Sequence, residues 1–189
     1  MATNTSKRVQ WITQMALLTA IVVVLQMLGA FVKFGPFQFA LVLAPIAIGA
    51  AVLGWKEGGW LGLVFGAVVL LNGDAAAFLA VTIPGTIVTV LAKGIGAGAA
   101  SGFVYKLLEK KNKTVAAIAA AIAAPVVNTG IFVLGCFAFF MPLLAEWAGG
   151  GDAVRFLFLT VIGLNFVVEL TVNVALSGAI VRIISIWKK

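Results

Sequence analysis

The 189-residue sequence has no histidine, a single cysteine (Cys136), one tyrosine and only 10% charged residues. Without histidine, the commonest metal-ligand sets and the commonest general base are missing. One cysteine excludes an intrachain disulfide framework. There is no Walker A signature, and "GIGAGAASG" at 94–102 neither follows a strand nor precedes a suitably placed acidic residue, so it is not a nucleotide fingerprint. With no nucleophile–base pair and no metal-binding cluster, the chain is expected to be neither an enzyme nor the holder of a cofactor or metal.

Scarce charge goes with abundant apolar surface. Hydrophobic residues make up 63% of the chain, whereas a typical soluble domain is about 45–50% apolar and about 25% charged. A mean hydropathy of +1.18 points to a bilayer. One span takes about 20 mainly apolar residues, so the length suits about six spans with short connections and no soluble domain. The sequence therefore predicts an all-α, polytopic membrane protein, residues 1–189 forming one integral membrane domain. Its six transmembrane helices fall at about 9–30, 38–54, 58–72, 81–109, 114–140 and 153–187. Turn and charge clusters such as Gly35-Pro36, "GWKEGGW", "NGDA", "EKKNK" and "EWAGGGD" separate them. The second and third runs are short, which fits tilting, re-entrance or burial. The first resembles a signal peptide in its basic start and in "LGA" at Leu28–Ala30. Its apolar stretch nevertheless exceeds the about 7–15 residues of a signal core, and it is expected to be retained.

The net charge of +7 is a matter of topology. Six alternating spans put Lys7, Arg8, Lys56, Lys106, Lys110, Lys111, Lys113, Arg182, Lys188 and Lys189 on one side, and only Lys33 and Arg155 in the loops of the other. The basic side is cytoplasmic by the positive-inside rule, so both termini are expected there. No basic stripe is interleaved with stacking aromatics, which excludes nucleic acid as a partner. Contact with anionic headgroups is a modest further use of these charges. Trp55, Trp60, Trp147 and Trp187 fall near span ends, as anchors do.

Two ionisable residues, Lys93 and Glu169, lie inside apolar runs. A charge at mid-bilayer costs about 2.5–3.5 kcal/mol even on lenient scales, so such groups face a bundle interior or a wet cavity. At about 1.5 Å per residue, Lys93 lies about 18 Å and Glu169 about 24 Å from the outer starts of their helices. Asn165, Glu169 and Asn173 recur every fourth position and share one helix face. Asn128 and Thr129 add polar atoms in the fifth helix, and Gln26 is a candidate to join them. Two readings are open: a solute-facing pocket in the outer half, or interhelical hydrogen bonding with Lys93–Glu169 as a static pair. For Asn173, the deepest, packing is the favoured reading.

Small residues mark surfaces of close approach: Gly94, Gly98 and Gly102 in the fourth helix, Ala16 and Ala20 in the first. For the glycines the plainer reading is packing within the chain. Phe31, Phe34, Phe37 and Phe39 flank the first outer turn, either as an interfacial belt or as a lid over a cavity mouth. "FVLGCFAFFMP" approaches the same face.

Taken together, "ALLTA" in the first helix, the Gly-Pro-Phe first loop, the fourth helix with Pro84, Lys93 and small residues, and "APVVNTGIFVLG" in the fifth resemble the substrate-binding S component of energy-coupling factor (ECF) vitamin transporters. The likeness covers essentially the whole chain. It implies high-affinity binding of a water-soluble vitamin from the outer side of the plasma membrane. It further implies docking on an ECF transmembrane T component with two cytoplasmic ATPases, which would use the ATP. Carried over, Ala16 and Ala20 form the docking face and Phe34 and Phe37 belong to the gate. Lys93, Asn128, Thr129, Asn165, Glu169 and Asn173 line the site. A compact solute with one carboxylate and several hydroxyl or amide groups suits a single lysine among amides. That favours pantothenate over riboflavin, which wants more stacking surface, and over folate, which wants more cations. The competing reading is a stand-alone secondary transporter or small channel with Lys93 and Glu169 as an ion or proton relay, although the halves show no inverted repeat.

Overall fold

The computed structural model describes residues 4–29, 33–34, 37–38 and 41–187. Helix α1 (Asn4–Gly29) is followed by a two-residue hairpin, β1 (Lys33–Phe34) and β2 (Phe37–Gln38), the one departure from an all-helical chain among these residues. Its antiparallel register pairs Lys33 with Gln38 and Phe34 with Phe37. Then come α2 (Leu43–Val52), α3 (Trp55–Leu71), the short α4 (Ala76–Val81) and α5 (Ile83–Leu108). Helix α6 (Lys113–Gly135) continues through a π-helical turn, Cys136–Phe140, into α7 (Met141–Trp147). Helix α8 (Ala153–Phe156) passes through a second, Leu157–Gly163, into α9 (Leu164–Trp187). Four segments are long and apolar enough to cross a bilayer: Ser6–Gly29, Ile83–Leu108, Lys113–Trp147 and Ala153–Ile183. The protein is a multi-pass helical membrane bundle.

Local chemistry sets the helix starts. Thr82 caps α5 by accepting from the Gly85 amide, with Pro84 in the first turn where its missing N–H is harmless. Asn112 caps α6 through the Thr114 and Val115 amides, and Asp152 caps α8 through those of Val154 and Arg155. Between α2 and α3 the chain turns at Gly54, whose φ of 132° side chains rarely tolerate.

Packing follows from side-chain size. Helices α3 and α5 run antiparallel with Gly58 against Gly98, Gly62 against Gly94 and Gly66 against Val90, so that an added Cβ would meet the facing carbonyl. The α5 glycines are thus occupied by contacts inside the chain. Gly102 abuts the Trp55 backbone, which puts the start of α3 at the same end as Lys106. Helix α1 runs parallel to α3, since Leu18 lies by Gly49 and Leu61 while Gln26 reaches Asp74 beyond the end of α3. One end of the bundle therefore gathers Lys7, Arg8, Lys56 and Lys106.

Helix α2 is hydrophobic all round, and Leu43, Ala44, Pro45, Ile46, Ala47, Gly49, Ala50 and Ala51 are buried. It packs against α1, α3, α5, α6 and α9. Its 10 residues reach only about 15 Å, half the hydrocarbon thickness. Because Ala50 lies by Gly58, and Ile46 by Gly98, it fills the basic half of the bundle axis and stops near mid-depth. The sequence extends this helix to 38–54; the structure begins it at Leu43, after a turn at 41–42.

Candidate functional site

The polar ladder of α9 lies along an inward face. Glu169 is 3% exposed and Asn173 is fully buried, with Asn165 half-buried above them. Asn165 Nδ2 donates to Glu169 Oε1 at 3.3 Å, and Asn173 Nδ2 donates to the Glu169 carbonyl at 2.9 Å. The amide of Asn165 thus steadies the carboxylate, while that of Asn173 holds the backbone one turn below. Directly before Asn165 the π-helical turn Leu157–Gly163 inserts extra backbone. Such turns often sit at functional sites because they re-aim the face that follows. No hydrophobic period announces them.

Facing α9 is α6, which packs against both α9 and α5. Asn128 on α6 is 5% exposed, near the buried Pro125 inside the helix. Thr129 is half-buried and, one position on, points about 100° away around the helix. On α5, Lys93 is half-buried, with Nζ 5.6 Å from the ring centre of Phe65 and 5.4 Å from that of Phe132. Ammonium groups at such distances are attracted to the ring faces. The lysine is therefore held against two aromatic rings, one on α3 and one on α6.

A second polar cluster went unforeseen in the sequence. Gln26 donates to Asp74 Oδ2 at 3.0 Å instead of joining the α9 ladder, and Asn72 Nδ2 donates to the same oxygen at 2.6 Å. The Asp74 amide donates back to Asn72 Oδ1 at 3.1 Å, closing an Asx-type turn. Gly73 between them takes a φ of 85°, which glycine adopts freely. The signal was available: "NGD" is turn chemistry, and its carboxylate is one of only six acidic residues. Gln26 sits 48 residues away, a partnership no local pattern reveals.

Above the turn, Phe78 of α4 packs edge-on against Phe132, Phe140 and Trp147, at ring separations of 5.7, 4.9 and 5.8 Å. Phe132 touches both this cluster and Lys93, so the aromatic wall and the polar residues are contiguous. Cys136 lies buried in the same cluster. Of the gate residues, Phe34 and Phe37 belong to the hairpin by backbone and face each other in its register; their side chains, and all of Phe31, Gly35, Pro36 and Phe39, lie outside the described residues. Ala16 and Ala20 are exposed on α1, while Leu18 and Val22 between and beyond them are buried in the core. An apolar groove of about 380 Å³ lies elsewhere, at the basic end between α3 and α5, lined by Trp55, Lys56, Gly59, Trp60 and Ile95.

The arrangement places one ammonium, one buried carboxylate and several amides on α5, α6 and α9, with α6 packed against the other two. It can hydrogen-bond a small polar solute. No curated protein and no solved structure gives a significant match to the chain. A family model described as "ECF transporter, substrate-specific component" does match, over residues 10–184. With nearly the whole chain covered by that match, and with a polar site inside an apolar bundle, the protein belongs to the substrate-specific (S) components of ECF transporters.

Proposed function

We propose that this S component takes up a water-soluble vitamin with high affinity from the outer side of the plasma membrane, with both termini cytoplasmic and six helices crossing the bilayer. It works as the binding subunit of an ECF-type ABC transporter, without catalysis or a cofactor of its own. The observation that carries this reading is the burial of Asn128, Glu169 and Asn173 on packed membrane helices, with Lys93 of α5 against Phe132, one turn from Asn128 on α6. Polar groups at that depth are expensive and are kept for a solute or a relay. Pantothenate is the vitamin favoured by a single lysine among amides, with riboflavin and folate next in order. The exposed Ala16–Ala20 face of α1 supports docking on a T component, which with two ATPases supplies the energy this chain has no machinery to generate.

Calorimetric titration of the purified protein against the B vitamins tests the proposal. One vitamin is expected to bind tightly, and Asn128→Ala or Glu169→Ala is expected to weaken it at least tenfold in protein that still folds. Unchanged affinity in both variants would defeat the placement of the site. Uptake by the chain alone, driven by a proton gradient, would instead establish the secondary-transporter reading with Lys93 and Glu169 as relay.

A further inference from the structure

Within the α9 ladder each amide nitrogen gives one hydrogen bond: Asn165 Nδ2 to the Glu169 carboxylate and Asn173 Nδ2 to the Glu169 carbonyl. Because each nitrogen meets an acceptor, the orientation of each amide is fixed, and each Oδ1 is an acceptor in search of a donor. Both oxygens are enclosed and receive no hydrogen bond. Asn128 Oδ1, on the helix packed against α9, is likewise enclosed and receives no hydrogen bond. Asn173 is fully buried and Asn128 is 5% exposed. Buried polar atoms in native proteins are almost always bonded, to protein, ordered water or a bound molecule. Three such oxygens on one pair of touching helices, with a carboxylate on the same face, leave three acceptors unmet.

We infer that the α6–α9 wall, through Asn128, Asn165 and Asn173, reads O–H and N–H donors of the solute, and that any carboxylate of the solute faces Lys93 on α5. This rests on the solute-binding reading above and adds the orientation and the donor requirement. It selects a hydroxyl- or amino-bearing molecule. A solute without such donors would leave these oxygens unpaired and bind more weakly, as sites built around buried polar groups disfavour ligands that leave them unmet.

Asn128 gives the sharpest test, because its amide nitrogen is not tied to Glu169. Asn128→Leu removes the amide, and methylation of the vitamin at its hydroxyls or ring N–H removes the donor that the amide oxygen would receive. Equilibrium titrations would use pantothenate, riboflavin and folate, after size-exclusion chromatography has shown the variant folded. The Leu variant is expected to lose about tenfold or more, and methylation of the vitamin is expected to cost the parent more than it costs the Leu variant. No loss in the Leu variant, or an equal cost of methylation in parent and variant, would mean that the amide oxygen does not receive these donors, overturning the inference. Should Asn128→Leu fail to fold, the parent protein is titrated with pantothenate methylated at its hydroxyls or riboflavin methylated at its ring N–H. Binding undiminished by methylation overturns the inference. If no vitamin binds the parent protein, the solute-binding reading falls together with it; binding blind to the donors removes the inference alone.

Discussion

Glu169 holds the amide of Asn165 through its carboxylate and that of Asn173 through its main chain, so the two bonds respond differently to substitution. Glu169→Gln keeps an oxygen for Asn165, whereas Glu169→Ala leaves that amide without its acceptor. An unmet buried donor costs about 1–3 kcal/mol. In detergent, the Ala variant is therefore expected to melt measurably below the Gln variant, with Asn173 unaffected; equal melting temperatures would show that the Asn165 bond contributes nothing. The alignment of Asn165, Glu169 and Asn173 on one face follows from four-residue spacing and could be read from the sequence. The bond each amide makes could not be, because it depends on rotamers and on the helix opposite. The same holds for Gln26, which helical spacing assigns to no particular partner and which finds Asp74 across the bundle.

Helices α3 and α5 show what small residues achieve as a set. At Gly62 and Gly94 the backbones are so close that a side chain would overlap the facing carbonyl, while nothing lies near a Cβ on Gly130. Gly62→Leu and Gly94→Leu are expected to abolish monodisperse protein, since overpacking a tight contact costs about 1–3 kcal/mol or more. Gly130→Ala should be neutral or slightly stabilising, helix propensity favouring Ala over Gly by about 1 kcal/mol. Fluorescence-detected size-exclusion profiles distinguish these outcomes, and a well-folded Gly62→Leu protein would contradict the packing described. Element limits were legible wherever a breaker or cap marks them, as at Pro84 and Asn112. They were not legible at the π-helical turns 136–140 and 157–163. Inserted backbone leaves an apolar run looking unbroken.

At the scale of the molecule, composition alone made the bilayer evident, because so little charge leaves no other solvent for so much apolar surface. Which helix is central was not evident, since a short apolar run reads alike whether it faces lipid or neighbours. The exposed Ala16–Ala20 face and the polar residues around Glu169 are separate surfaces, and the proposed docking should be separable from binding. Ala16→Trp with Ala20→Trp is expected to leave vitamin affinity within about twofold while abolishing co-purification with a T component, as surface changes away from a site usually do little to it. Loss of both together would mean that the face is structural. Helix α2 adds a constraint of its own. Leu43, Ile46 and Ala47 have no exposed surface, and they seat a greasy stopper in the basic half of the bundle axis. A bundle plugged along its axis conducts nothing: the purified chain in a planar bilayer should carry no current at any voltage, and a steady voltage-driven current would mean that α2 does not seal the axis.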